Sequence, residues 1–194
     1  LSNIGKGAEV ADHAMSALAL TGFPVKNGWQ IPPPNVGEHG GAGGVAMQAM
    51  IQVRSIGINS SKEAVYYNAY TDADLKPLSG RNSYTITFAK NQIPPVDKGR
   101  YGFWSLTIYD RTNARLIENS ADKYSIRSAD DLVYNFDGSL TLYIQPTPPS
   151  DKALISNWLP SDSKGDFILA LRVYLGGKEV TSGSYIPAPI VKNP

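Results

Sequence analysis

Beyond Tyr70 the sequence consists of short alternating or aromatic runs that are separated by glycine, proline, asparagine and aspartate residues. Side chains of a half-buried strand alternate between core and solvent, so this pattern is typical of an antiparallel β-sandwich or barrel. Strands are predicted near 83–89, 102–109, 140–145 and 167–175, with shorter ones around Leu116, Val133 and Tyr185. Most of the chain is therefore expected to be β-structure.

The dipeptide Asp137-Gly138 is the clearest turn signal in the sequence. It lies between the run 133–135 and the run that begins at Ser139. A two-residue type I′ turn needs positive φ at both central residues, and Asp-Gly is a preferred pair for it. We therefore predict a β-hairpin that turns at this dipeptide.

The N-terminal part of the chain has a different pattern. Apolar residues at helical spacing predict one helix over 7–20 and a second over 45–58. Between them lies a segment rich in proline and glycine without periodicity, which predicts a loop. The chain is thereby divided into an N-terminal helix-and-loop segment, 1–44, and a helix plus β-sandwich domain, 45–194.

A further helix start is indicated just before the β-rich region. Ser60 and Glu63 have the spacing of a capping box, in which a hydroxyl and a carboxylate satisfy free backbone amides. This pattern predicts a short helical turn before Ala64.

Composition excludes several classes of partner. The formal net charge is +1 and the lysines and arginines are scattered, so the chain lacks the basic surface that nucleic acid or an anionic membrane requires. No apolar stretch approaches the roughly 20 residues of a membrane-spanning helix. There is no cysteine, which rules out disulfides, thiolate metal sites and a cysteine nucleophile. We expect neither nucleic-acid binding nor a membrane span.

The sequence contains two histidines, His13 and His39. Neither belongs to a recurrent metal-binding spacing, and no Gly-x-Ser-x-Gly elbow is present for a serine nucleophile. The glycine cluster 40–44 precedes the second predicted helix but lacks the lysine and hydroxyl of a phosphate-binding loop. The sequence therefore predicts no metal and no cofactor.

Asp72 and Asp74 form the first candidate site, because they follow closely on Tyr67 and Tyr70. Carboxylates beside phenols occur on sugar-binding faces and in the acid–base pairs of glycosidases. The same residues, followed by proline and glycine, also fit a strand-to-turn connection in which aspartate side chains bind their own backbone. Turn chemistry favours the second interpretation, and the first stays open.

A second group of candidates combines aromatic and charged residues. Alternation along one strand sends Trp104 to one face and Tyr109 to the other. Arg172 lies in an apolar strand, and if it points inward it needs a carboxylate such as Asp110. Trp158 is expected in a loop, where a tryptophan either closes one end of the sandwich or provides a stacking surface for a ligand, and the proline that follows favours the first role. These five residues and the four of the first group are the candidate ligand-binding residues.

Several phrases of the sequence occur together in a known family. They are the residues 63–66, 103–110, 124–126, 137–145 and 156–160. In this order and spacing they resemble the exported family catalogued as domain of unknown function 1214, which usually follows domain of unknown function 1254. The resemblance runs from near Asn27 to the C-terminus. It implies a β-sandwich of jelly-roll type, export signals in many members, and a companion domain on the N-terminal side.

The sequence therefore predicts a mainly β fold, a jelly-roll-like antiparallel β-sandwich with N-terminal helices. The expected function is that of an exported, periplasmic or secreted, non-catalytic recognition or assembly module. Its expected partners are carbohydrate, an N-terminal companion domain or identical subunits. The alternative is a hydrolase- or lyase-type enzyme that uses carboxylates of the sandwich on an extracellular polymer or small molecule. An enzyme requires polar groups that converge in a concave pocket, whereas a module requires exposed aromatic residues on a face or an end.

Overall fold

The computed structural model of the protein describes residues 23–34, 36–37, 58–161 and 164–194. The helix predicted over 7–20 lies outside these residues, as does the one predicted over 45–58 apart from its last residue. Both histidines and the glycine cluster also lie outside them. The N-terminal helices and the division of the chain into two segments therefore stay predictions.

The described part of the chain is mainly β-structure. Its strands are β1 (Val25–Lys26), β2 (Trp29–Gln30), β3 (Ala64–Ala69), β4 (Tyr84–Phe88), β5 (Phe103–Asp110), β6 (Ser125–Arg127), β7 (Leu140–Gln145), β8 (Trp158–Pro160), β9 (Phe167–Tyr174) and β10 (Ile190–Lys192). One short helix, α1, spans Lys178–Thr181, and 3₁₀ segments span Lys98–Arg100 and Lys152–Asn157. The mainly β prediction is confirmed.

The strands form two sheets. Strand order is β1-β2-β3-β9-β5-β6 in the six-stranded sheet and β10-β4-β7-β8 in the four-stranded sheet. Neighbouring strands are antiparallel except β7 and β8, which run parallel and so depart from the fully antiparallel prediction. A parallel pair requires a crossover connection, and the segment that contains the second 3₁₀ turn provides it. The jelly-roll order of the strands stays a prediction.

One face of each sheet contributes to a shared hydrophobic core. In β7 the residues Leu140, Leu142 and Ile144 are buried, and the residues between them are half-buried. Rings from the two sheets meet edge to face between Tyr84 of β4 and Phe167 of β9, with centroids 5.7 Å apart. Burying a large apolar side chain contributes about 1.5–3 kcal/mol, so these residues stabilise the packing of the two sheets.

The four long strands that the sequence predicts are present. Their observed bounds are Tyr84–Phe88, Phe103–Asp110, Leu140–Gln145 and Phe167–Tyr174. The shorter strands predicted at Val133 and Tyr185 are wrong, and Leu116 forms only an isolated bridge to Tyr109. Tyr185 is instead a buried residue whose hydroxyl donates to the Gln92 carbonyl at 2.9 Å.

The segment around Val133 is held by a side chain rather than by a strand. The buried carboxamide of Asn157 accepts a hydrogen bond from the Val133 amide at 2.9 Å and donates to the Val133 carbonyl at 2.7 Å. It also donates to the carbonyl of Thr141 on β7 at 2.9 Å. One side-chain amide thus supplies both backbone bonds that a neighbouring strand would supply, so the segment is fixed without becoming a strand.

The predicted turn at Asp137-Gly138 is present, but its geometry differs from the prediction. Gly138 has a positive φ of 79°, whereas Asp137 does not have a positive φ. The Asp137 carboxylate accepts hydrogen bonds from the amide and the hydroxyl of Ser139, at 2.9 and 2.6 Å. The dipeptide therefore forms an aspartate-stabilised turn. The type I′ hairpin prediction is wrong, because that turn needs positive φ twice and a strand on each side.

The helical turn predicted before Ala64 is present as one hydrogen-bonded turn that does not continue into a helix. The Ala64 amide donates to the Ser60 carbonyl at 3.0 Å, and β3 begins at once. Residues 65–67 are β-branched and aromatic, and they pair with β9. Pairing with the sheet overrides the local capping pattern here, as expected for residues that fit a half-buried pleated surface.

Asn157→Ala tests the role of the buried carboxamide. The substitution leaves three backbone polar groups without their partner, and each buried group that loses its hydrogen bond costs about 1–3 kcal/mol. We expect the free energy of unfolding to fall by about 3 kcal/mol in urea denaturation.

The matched control is Asn135→Ala. The exposed Asn135 amide donates to the hydroxyls of Ser139 and Thr141. Water replaces these bonds, so the expected loss is below about 1 kcal/mol. Equal losses in the two variants would show that the buried amide does not hold the segment.

Candidate functional site

The outward side of the six-stranded sheet carries a cluster of aromatic side chains around one arginine. Along β9 every second residue, such as Leu171 and Val173, is buried in the core, which places Arg172 and Tyr174 on the outward side. Strands β3 and β5 pair with β9 on either side and alternate in the same way. We call the following residues the outer aromatic face: Tyr66 on β3, Phe103, Thr107 and Tyr109 on β5, and Arg172 and Tyr174 on β9.

The register of the strands brings these side chains into adjacent rows. Tyr66, Arg172 and Ser105 lie directly opposite one another on β3, β9 and β5. The next row joins Tyr174 to Phe103. Neighbouring strands are about 4.8 Å apart, so side chains within a row contact each other directly. The two rows place a guanidinium beside a pair of aromatic rings.

The guanidinium of Arg172 lies at the centre of the face. It donates to the Thr107 hydroxyl at 3.0 Å and to the Tyr109 hydroxyl at 2.7 Å. Its central carbon is 5.4 Å from the ring centroid of Tyr109 and 5.9 Å from that of Tyr66, within the range of cation–π attraction. The side chain points outward and binds hydroxyls and rings, so the condition under which Arg172 would need Asp110 as a partner does not arise.

Phe103 and Tyr174 form a stacked pair at the edge of the same face. Their ring centroids are 4.5 Å apart and the ring planes are inclined by 17°. Phe103 is 40% exposed and Tyr174 is half-buried. Burial raises the pKa of the Tyr174 phenol, the neighbouring Tyr66 raises it further, and the Arg172 guanidinium partly opposes the rise. The pair therefore offers an uncharged aromatic surface at neutral pH.

Tyr66 and Phe103 were not among the site residues predicted from the sequence. Tyr66 follows a pattern that predicts a helical turn, so its position on a strand face could not be assigned. Alternation along β5 did place Phe103 and Thr107 on the same side as Tyr109. That signal identifies part of the face, but pairing between distant strands is needed to add Tyr66.

The structure places the first candidate group in a turn and in the core, not in one site. The buried carboxylate of Asp72 accepts hydrogen bonds from the amides of Asp74 and Lys76, at 3.0 and 2.9 Å. Asp74 is exposed, and Tyr70 is half-buried. Tyr67 lies on the core side of β3, and burial raises the pKa of its phenol. Asp72 thus has the turn role that sequence analysis favoured.

Asp110 ends β5 and binds its own turn. Its carboxylate accepts hydrogen bonds from the hydroxyl of Thr112 and from the amides of Thr112 and Asn113, the amides at 2.7 and 3.1 Å. The pKa of Asp110 is lowered by the hydrogen bonds from Thr112, most by that from its hydroxyl and next by that from its amide. The carboxylate of Asp110 therefore stabilises the turn that follows β5.

The two candidate tryptophans are both buried, Trp104 in the core and Trp158 opposite Tyr143 on the outward side of the four-stranded sheet. Trp104 is 2% exposed on the core side of β5, with its ring centroid 6.3 Å from that of Phe88. Trp158 begins strand β8 and does not lie in a loop, so that part of the prediction is wrong. It is 7% exposed, and its indole N–H donates to the Gln145 carbonyl at 2.8 Å. Of the predicted candidates, Tyr109 and Arg172 are the pair that the structure brings together outside the core.

A shallow depression of about 530 Å³ lies at the loop before β6. It is lined by Glu118, Asn119, Ser120, Asp122 and Tyr124. The predicted site residues are not among them. In the described part of the chain, no cluster of three or more side chains is suited to hold a metal ion. Within the same residues, no helix has the length and apolar character needed to cross a membrane.

Comparison with known proteins identifies a family and a fold. The sequence model of the family described as "Protein of unknown function (DUF1214)" matches residues 63–178. The VPA0106 protein from Vibrio parahaemolyticus has a similar crystal structure, with a TM-score of 0.68 and 20% identity over 94% of this chain and 42% of that one. An uncharacterized protein from Burkholderia cenocepacia has a TM-score of 0.47 and 17% identity over 75% of this chain and 32% of that one. The chain spans less than half the length of either protein, and no curated protein matches it.

Asp72→Ala tests whether this carboxylate is structural. It removes two charge-assisted hydrogen bonds to backbone amides in a buried turn, so we expect thermal and urea unfolding to show a loss of about 1.5–3 kcal/mol. Asp74→Ala, two residues away and exposed, is the matched control and should change stability by less than about 0.5 kcal/mol. Indistinguishable stabilities would contradict the structural role of Asp72.

Proposed function

This chain belongs to the family described as "Protein of unknown function (DUF1214)", and from that premise we propose that it is a non-catalytic recognition or assembly module that binds through the outer aromatic face. The ligand is a carbohydrate or another subunit. Export to the periplasm or the outside of the cell belongs to the same proposal. So do a companion domain or identical subunits as partners, and a jelly-roll order of the strands.

The observation that carries the proposal is the partly exposed stack of Phe103 on Tyr174 beside Arg172. Tyrosine, phenylalanine and arginine are enriched at binding surfaces: the aromatic rings bury a large contact area with few rotatable bonds, and the guanidinium offers a fixed fork of hydrogen-bond donors. Aromatic rings with a hydroxyl also suit ligands that have both an apolar face and polar edges, as sugar rings do.

The outward side of the four-stranded sheet provides a contrast within the same molecule. There, Thr87 on β4 and Thr141 on β7 lie opposite each other, with their hydroxyl oxygens 3.1 Å apart. Farther along this side, Tyr143 on β7 lies opposite Trp158 on β8, but Tyr143 is half-buried and Trp158 is 7% exposed. The more exposed ring of Phe103, next to a guanidinium, therefore favours the six-stranded sheet as the binding surface.

The carboxylates that the enzyme alternative requires do not come together at one site. Of its candidate carboxylates, Asp72 and Asp110 bind their own turns, and Asp74 is exposed two residues from the first. The outward positions of β3, β5 and β9 contain no carboxylate among the described residues. General acid–base catalysis most often uses a histidine or a carboxylate within hydrogen-bond reach of the reacting atom, and the described residues of this face include neither.

Phe103→Ala tests the proposed surface. The purified chain is assayed against immobilised mannan, cellulose and polygalacturonate, and for self-association by light scattering. Removing the exposed ring should weaken whichever of these interactions the wild-type chain makes by about tenfold, the loss expected for a central aromatic contact. Circular dichroism confirms that the variant is folded.

The matched control is Phe136→Ala, which removes another exposed phenylalanine, in the turn before β7. It should leave every interaction unchanged. Equal effects of the two substitutions, or a wild-type chain that neither binds a polysaccharide nor self-associates, would overturn the proposed function.

A further inference from the structure

The geometry points to an anionic carbohydrate, a polysaccharide whose sugar units carry carboxylates, as the ligand of the outer aromatic face. This inference rests on the function proposed above and narrows it to one class of ligand. It follows from the balance of hydrogen-bond donors and acceptors on the face, from its charge and from the spacing of its rows.

The donors at the centre of the face exceed the acceptors. A guanidinium has five N–H groups, and Arg172 makes one hydrogen bond to Thr107 and one to Tyr109. Thr107 is buried, whereas the hydroxyl of the half-buried Tyr109 accepts in its bond and retains its own O–H for a further acceptor. The centre of the face is therefore prepared for a ligand that accepts several hydrogen bonds, as a carboxylate does.

The charge of the face also favours an anionic ligand. Arg127 on β6 lies in the same row as Arg172, with Ser105 between them. Arg127 forms a salt bridge with Asp130 at 3.1 Å, so these two charges neutralise each other. The ionisable groups on the outward positions of β3, β5, β6 and β9 are these two arginines and three tyrosines. Arg172 therefore leaves the described face with a net positive charge.

The aromatic pair explains why the ligand is a sugar acid rather than an isolated carboxylate. Tyr174 is two residues from Arg172 on β9, roughly 6.6 Å along the strand. A sugar ring can pack against the exposed part of Phe103, one face of which is covered by Tyr174, while its carboxylate extends toward the guanidinium. Arginine suits this role because its planar fork binds a carboxylate through two parallel N–H bonds.

The test uses ligands that differ in one chemical feature. Binding of the full chain is measured by biolayer interferometry to polygalacturonate, to its methyl-esterified form and to poly-glutamate. Polygalacturonate should bind at least about tenfold more tightly than the ester, which keeps the sugar and loses the charge. It should also bind more tightly than poly-glutamate, which keeps the carboxylate and loses the sugar, and its binding should weaken when salt rises from about 0.02 to about 0.5 M.

Substitutions at the guanidinium test the same contact from the protein side. Arg172→Gln should weaken binding to polygalacturonate about tenfold or more, and Arg172→Lys should fall between it and the wild type because lysine keeps the charge without the fork. Arg81→Gln removes the same charge from an exposed turn before β4 and should leave binding unchanged. If Arg172→Gln does not fold, the comparison of acid and ester on the wild-type chain still decides the question.

The outcomes separate this inference from the proposed function. Equal binding of acid and ester, both lost in Phe103→Ala, would overturn the anionic ligand and leave a neutral carbohydrate module. Tight binding of poly-glutamate, or self-association lost in Phe103→Ala without any binding to polygalacturonate, would mean that a protein occupies the face. If no ligand binds and Phe103→Ala changes nothing, both the inference and the proposed function fall.

Discussion

The pairing of β9 with strands on both of its sides determines the rest of the structure. Over its length this strand is hydrogen-bonded to β5 and to β3, so its register fixes both neighbours. A shift by one residue would exchange its two faces, because side chains alternate with a period of two. Leu169, Leu171 and Val173 would then leave the core, and Arg172 would enter it without a carboxylate partner. The hydrophobic core and the orientation of the arginine are therefore selected together.

The segments between the strands are held in place by polar side chains that form several hydrogen bonds to the backbone. Asn157 holds the backbone of Val133, and the carboxylates of Asp72 and Asp110 bind the amides of their own turns. Each of these side chains is used in hydrogen bonds to the backbone. Arg172 differs from them because its partners are side-chain hydroxyls, and that of the half-buried Tyr109 retains an O–H for a further group. The candidate site is therefore placed on the six-stranded sheet, where polar groups can still form hydrogen bonds to a ligand.

The sequence predicts the long strands well because each combines alternation with flanking turn residues, as in β7, where the predicted and observed bounds agree. It fails at Val133 and before Ala64, where a distant partner decides the local structure: Asn157 replaces a strand in one case, and pairing with β9 replaces a helix in the other. The candidate site is predicted in part for the same reason. Alternation groups Tyr109 with its strand neighbours, but only the register of β9 adds Tyr66 and the outward guanidinium of Arg172.

We infer that ligands bind the outward side of the six-stranded sheet. Nuclear magnetic resonance can locate the contact when polygalacturonate fragments are titrated into the isotope-labelled chain. We expect the side-chain signals of Arg172 and the ring signals of Phe103 and Tyr174 to shift first, while those of Thr87 and Thr141 on the other sheet stay in place. Shifts that concentrate on Thr87 and Thr141, or at the depression beside Tyr124, would contradict it.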